Sequence, residues 1–240
     1  GLRSFTDKLT AERNASSKET AYIGRTGNMP EGLRLTKNSD AAIIVLHEIY
    51  GINPFMHAVC QKYHSLGYDA YCPNLLGRSE YFPYDRQDIA YAHFIKHGGF
   101  DRNSLVTDLC ESIRREYKQI FLLGFSVGAT LAWISSASGI FDGAVCHYGS
   151  RIRDHLQLTP SCPVLLLFTG QEASFSPESI LPSLSAIPNV RGEIFNARHG
   201  FCDPFSPNYN ATAAIKAEKL AQNFLLEKSG TTKEAPAKHE

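Results

Sequence analysis

A serine, a carboxylate and a histidine that together could attack an acyl carbon occur in a suggestive order along this chain. The serine is Ser126, at the centre of Gly124-Phe125-Ser126-Val127-Gly128, which fits the pattern G-x-S-x-G. That pattern expects a strand, a sharp turn that lifts the serine to its apex, and then a helix. The flanking glycines suit it, because a backbone bent so tightly leaves little room for side chains. At ordinary glycine and serine usage, three fixed positions recur by accident in about one chain in ten of this length, so the pentapeptide needs its context. The context is present. Ile120-Phe121-Leu122-Leu123 leads in as a buried strand, and Ala129-Thr130-Leu131-Ala132-Trp133-Ile134 leads out with helical character.

A serine hydroxyl is a weak nucleophile at its own pKa, so this chemistry needs a base in hydrogen-bond reach and a third group that orients the base. Four histidines follow Ser126: His147, His155, His199 and His239. The first two come too early to leave room for an acid on a later strand, and His239 sits in a polar tail. His199 is favoured, because Ala197-Arg198-His199-Gly200-Phe201 follows the last expected strand, at the sheet edge where open α/β folds bind ligands. For the acid, Glu172 in Phe168-Thr169-Gly170-Gln171-Glu172 emerges from an apolar run at the same edge. Asp154, after the preceding strand, and Asp203, in the histidine's own loop, are its rivals.

The elements that must position these groups alternate in type. Strands are expected over residues 41–46, 69–72, 119–123, 144–148, 164–168 and 192–195, and helices over 55–66, 103–117, 127–138, 177–186 and 209–226. This alternation predicts an α/β fold, a mainly parallel sheet with helices on both faces. Residues 1–40 are expected to form an N-terminal extension of the same domain, with a hairpin around Gly27-Asn28-Met29-Pro30-Glu31-Gly32. Residues 41–228 make the main domain, and 229–240 are too polar to pack and are expected to be a disordered tail. The stretch 77–100 is crowded with Tyr81, Phe82, Tyr84, Tyr91 and Phe94, and suits either a pocket wall or ordinary aromatic packing.

Composition narrows the partners. The 240 residues carry 24 basic and 24 acidic side chains, so no strong field draws in nucleic acid or an anionic membrane. No apolar run is long enough to span a bilayer, which leads to the expectation of a soluble protein. Six scattered cysteines without C-x-x-C spacing point to reduced thiols and a cytoplasmic setting. His93 and His97 have i, i+4 spacing but no third ligand or H-E-x-x-H partner, so no metal is expected. Gly98-Gly99 follows no apolar strand, which leaves nucleotide binding unsupported, and no cofactor is expected.

Several further segments carry a family resemblance. Leu46-His47-Glu48-Ile49-Tyr50-Gly51-Ile52-Asn53, Cys72-Pro73-Asn74-Leu75-Leu76-Gly77-Arg78, His147-Tyr148-Gly149, Gly170-Gln171-Glu172 and His199-Gly200-Phe201 fall in one order. Together they resemble the dienelactone hydrolase family over about residues 41–225. The resemblance implies an α/β-hydrolase fold and a nucleophile, acid and histidine at Ser126, Glu172 and His199. The dienelactone hydrolases proper carry cysteine in the elbow and aspartate as the acid, so this chain is similar to their serine-bearing relatives. The resemblance further implies an oxyanion hole from the backbone N–H groups of Ile49 and Val127, and a glutamate near the nucleophile at Glu48. It places Arg78 as one of two arginines that hold a substrate carboxylate. The second would fall on Asp203, which would repel an anion, so dienelactone itself is not the expected substrate.

The expected function is therefore hydrolysis of a small ester, lactone or thioester through an acyl-enzyme. A ligand-binding protein on the same scaffold and an acyltransferase are the alternatives.

Overall fold

Ala41–Leu46, Gln119–Phe125 and Val164–Thr169 are apolar at nearly every position, the pattern of strands covered on both faces. In the computed structural model, which describes residues 22–229, they lie within one eight-stranded sheet. The strands are β1 (Tyr22–Ile23), β2 (Gly32–Leu35), β3 (Ala41–Leu46), β4 (Asp69–Pro73), β5 (Gln119–Phe125), β6 (Gly143–His147), β7 (Val164–Thr169) and β8 (Val190–Phe195). Their order across the sheet is β1-β2-β4-β3-β5-β6-β7-β8. From β4 through β8 every neighbouring pair is parallel, whereas β2 runs antiparallel to β4 and β1 antiparallel to β2.

Because side chains alternate along a strand, each strand feeds two cores. Ile44, Leu46, Leu122 and Leu166 pack on one face against α3 (Asn103–Ile113) and α4 (Val127–Ser135), together with α2 (Gln87–Lys96). Ile43, Val45, Leu123 and Leu165 pack on the other against α1 (Pro54–Ser65) and α6 (Ala211–Lys228). Asn53 caps α1 by accepting from Met56 N, and Asn210 caps α6 by accepting from Ala213 N. Mainly parallel strands with helices on both faces are the architecture that the alternating pattern predicts.

Some elements differ from expectation in ways with local causes. The stretch 77–100 contains α2, whose weak stripe buries only Ala90 and Phe94 and so gives little periodic signal. The helix expected over 177–186 splits into a 3₁₀ turn at Pro177–Ser179 and α5 (Leu181–Ser185), where Pro182 contributes no donor N–H. The tail expected over 229–240 lies, apart from Ser229, outside the described residues, as do residues 1–21 of the N-terminal extension. Among the described residues no helix is long and apolar enough to cross a membrane.

The junction of β5 and α4 is closely packed. A Cβ at Gly124 would stand 2.2 Å from the Gly128 carbonyl oxygen, and one at Gly128 would stand 2.2 Å from that of Leu46. Between them Ser126 takes φ 56° and ψ −119°, a conformation that side-chain-bearing residues seldom adopt. Its N–H donates to the His147 carbonyl at 2.9 Å, which ties the turn to the end of β6.

Gly128→Ala is expected to push α4 off β3 and lower unfolding free energy by about 3 kcal/mol or more. Gly24→Ala, where the added carbon meets nothing within 4 Å, should stay within about 0.5 kcal/mol of wild type. Urea denaturation of the two variants checks the contrast, and equal stabilities would contradict it.

Candidate active site

Parallel β5, β7 and β8 end at one edge of the sheet, and each delivers one of the residues singled out above. Ser126 follows β5. Glu172 follows β7 after two residues whose N–H groups are held by the neighbouring segment: Gly170 N donates to Phe195 O at 2.7 Å and Gln171 N to Ala197 O at 3.3 Å. His199 follows β8, and its carbonyl accepts from Asn208 Nδ2 at 2.9 Å. The acid and histidine loops are thus stitched to each other before their side chains meet.

The side chains form a relay. Ser126 Oγ lies 2.8 Å from His199 Nε2, and His199 Nδ1 lies 2.5 Å from Glu172 Oε1. An ionised carboxylate only accepts, so Nδ1 carries the proton and Nε2 is left to accept from the serine hydroxyl. Thr169 Oγ1 donates to the same Glu172 oxygen at 3.2 Å.

Burial alone would raise the Glu172 pKa, but the hydrogen bond and charge of His199, the Thr169 hydroxyl and the nearby Arg153 outweigh it and hold the carboxyl below its usual range. His199 shows the reciprocal balance: burial depresses it, while Glu172, with a contribution from Glu48, raises it overall. Protonated His199 is thereby stabilised without being locked in, because the half-buried ring still faces the cleft.

Glu48 is buried beside this relay. Desolvation pushes its pKa up to about 7, opposed by the charge of His199 and reinforced by that of Asp203. The preceding His47 fixes the local backbone. Leu75 N can only donate to His47 Nε2, at 2.9 Å, so Nδ1 holds the proton and donates to the Glu48 carbonyl at 2.6 Å. Desolvation keeps this imidazole neutral, with its pKa lowered to about 4.

Ile49 and Val127 both line the cleft. Val127 is the first residue of α4, where an N–H has no acceptor within the helix. The backbone bonds after β3 run from Gly51 N to Glu48 O and from Asn53 N to Gly51 O, and do not involve Ile49 N–H.

The cleft holds about 650 Å³. Tyr84 and Tyr91, from the aromatic stretch, form part of its wall with Arg151, Arg153 and Ser174. These last three were not singled out from sequence; the available signal was the pair of arginines just after β6, at the ligand-binding edge of the sheet.

Arg78 does not line the cleft. It stacks over the Phe82 ring, 4.0 Å from the centroid, and faces Glu80 at 3.6 Å. Asp154 pairs with Arg151 at 3.3 Å, and buried Asp203 accepts from the Tyr84 hydroxyl, so neither rival acid bonds to His199. His93 bonds to the Leu76 carbonyl at 2.8 Å and stacks on His97.

Comparison with known proteins agrees with this architecture. Residues 32–229 match the model of the dienelactone hydrolase family. The Bacillus subtilis (strain 168) protein YczH is 38% identical over 185 residues, covering 75% of this chain and 90% of that protein. A carboxymethylenebutenolidase of Pseudomonas putida is 29% identical over 199 residues, covering 76% and 84%. A crystal structure from Klebsiella pneumoniae superposes with a TM-score of 0.68 at 18% identity, covering 88% of this chain and all of that one, and shows the same fold. With the sheet, the elbow and the family match in agreement, the chain is a hydrolase of the α/β-hydrolase fold and belongs to the dienelactone hydrolase family.

Proposed function

We propose that this hydrolase cleaves a small ester, lactone or thioester with Ser126 as nucleophile, His199 as general base and acid, and Glu172 as the orienting carboxylate. The observation that carries the reading is the continuous relay of 2.8 Å and 2.5 Å from hydroxyl to imidazole to carboxylate. Ser126 Oγ attacks the carbonyl carbon while its proton passes to His199 Nε2. Glu172 steadies the imidazolium that results. Charge building on the carbonyl oxygen is met by the N–H groups of Ile49 and Val127, and loss of one such donor typically costs about 2.7 to 4 kcal/mol of barrier. Collapse of the intermediate expels the alcohol or thiol, which takes the proton back from His199. Water then attacks the acyl-serine with His199 again as base, releasing the acid and restoring Ser126.

Glu48 is assigned a supporting role. A buried carboxyl that ionises near neutrality adds negative charge beside the imidazolium once His199 is protonated. The position of Arg78 outside the cleft and the burial of Asp203 against Tyr84 weigh against a two-arginine carboxylate clamp, and so against dienelactone itself. The carboxymethylenebutenolidase relative supports a reaction of the acyl-hydrolysis class, because a butenolide is a lactone. All six cysteines are free, which supports the cytoplasmic location that we also propose.

On a panel of small aryl esters, lactones and thioesters, Ser126→Ala and His199→Ala are each expected to lower kcat by about 10⁶-fold, and Glu172→Gln by about 10⁴-fold. Covalent capture of Ser126 by a fluorophosphonate, absent in Ser126→Ala, checks the nucleophile. An unlabelled wild type would favour a binding protein instead.

The pH dependence follows from the same balance. Only neutral His199 accepts the serine proton, so kcat/KM should fall as pH drops through a pKa above the usual histidine value of about 6.5. Glu172→Gln removes the charge that raises this pKa, so the acid limb should move to lower pH. An unmoved limb in Glu172→Gln, together with an inactive Asp154→Asn, would reassign the acid.

A further inference from the structure

Glu48 lines the cleft although it is only 6% exposed. Among the described residues no group hydrogen-bonds to its carboxyl or pairs with it. The charges that act on it are those of His199 and Asp203, and no arginine or lysine is among them. A buried carboxylate without a partner is costly, and a cation is the partner that offsets that cost best.

Two aromatic rings stand beside it. Tyr50 and Tyr84 also line the cleft, with centroids 4.7 Å apart and planes at 89°, and the charge of Glu48 acts on both. The Tyr84 hydroxyl is already engaged: it donates to buried Asp203 and accepts from Asn53 Nδ2 at 3.2 Å. What Tyr84 offers the cleft is therefore its ring. Phe82 N donates to the Tyr50 carbonyl at 2.8 Å, which fastens the two tyrosine segments together. Ring faces are electron-rich, so this corner presents one sign of charge from two rings and the Glu48 carboxylate, with the Asp203 carboxyl behind Tyr84.

The cationic side chains are committed elsewhere. Arg78 is turned onto Phe82 and Glu80. Arg151, Arg153 and Arg198 line the cleft from the segments after β6 and β8; Asp154 and Tyr91 engage the first, and the Ser150 carbonyl and Ser174 hydroxyl the second.

We infer that the corner formed by Glu48, Tyr50 and Tyr84 receives an alkylammonium group, so that the ester, lactone or thioester cleaved here carries a positive charge. The inference rests on the reading of this cleft as the place where Ser126 meets its substrate. The rings hold the cation through their quadrupoles, and Glu48 supplies a full countercharge in the same enclosed space. An ammonium bound there takes up the charge that otherwise steadies the His199 imidazolium. The preference should therefore appear as a lower KM with no gain in kcat.

Titrations of the full chain with choline and with its neutral isostere 3,3-dimethylbutan-1-ol, followed by ligand-observed NMR, test the assignment. Choline has no ester bond, so its binding does not depend on Ser126, and a failure here leaves the nucleophile to the fluorophosphonate test. Choline should bind about five- to thirtyfold more tightly than the alcohol, the range of a cation–aromatic contact from half-exposed to desolvated. The anion 3,3-dimethylbutanoate should bind most weakly of the three. Glu48→Gln, which keeps the shape and removes the charge, should weaken choline and strengthen the anion. Tyr50→Leu, at a half-buried position, should narrow the margin of choline over the alcohol even if Glu48→Gln fails to fold. Equal affinity for choline and the alcohol in wild type, tightest binding of the anion, a margin untouched by both substitutions, or no binding of choline at tens of millimolar would each overturn it.

Discussion

The contact between the start of α4 and the ends of β3 and β5 is the constraint from which the rest of the site takes its position. Carbonyl oxygens occupy the space that side chains at residues 124 and 128 would need, so the backbone approaches more closely than any residue but glycine permits. The turn that results holds Ser126 in a conformation that costs on the order of 1 to 3 kcal/mol. Burial offsets that cost, because α4 is enclosed along nearly its whole length, with Leu131, Ala132 and Trp133 fully buried. A serine on a mobile loop would reach many positions. Here the sheet and the helix leave it one.

The partners of Ser126 inherit their placement from the ladder. Strands β5 through β8 are parallel neighbours in chain order, so their carboxyl ends form a row and residues distant in sequence arrive side by side. Bonds between the loops after β7 and β8 then set the spacing of Glu172 and His199. The fold also assigns different duties to one residue type. His199 gains a carboxylate and remains open to the cleft, so it can change charge. His47 and His147 are enclosed, bonded to backbone groups and held neutral, and they act as fixed hydrogen-bonding struts.

Much of this was legible in the amino-acid order because the relevant signals are local. Apolar runs mark β3, β5 and β7, and the flanking glycines mark the turn at Ser126. Glu172 and His199 could be selected by their position just after a strand. What the sequence could not show was direction and partnership. Arg78 lies where an arginine clamp would be sought, yet the Phe82 face and Glu80 turn it away from the cleft. Asp203 looks like an exposed loop acid and is fully enclosed against Tyr84. Helix α2 has too weak an apolar stripe to stand out among the aromatics around it. Such outcomes depend on residues from other parts of the chain, which periodicity does not record.

The tautomer of His47 sets a limit on acid tolerance. Its unprotonated nitrogen receives the Leu75 N–H while its protonated one grips the Glu48 carbonyl, so one ring clasps the exit of β3 to the exit of β4. Adding a second proton would set hydrogen against hydrogen at Leu75. An unfolded chain takes up that proton near pH 6.5, whereas the native ring resists until about pH 4. Between those values the unfolded form binds more protons, so native stability erodes as the medium acidifies. Buried His147 is held neutral in the same way, with its pKa also lowered to about 4, so the two enclosed rings together make the native state acid-sensitive over that interval.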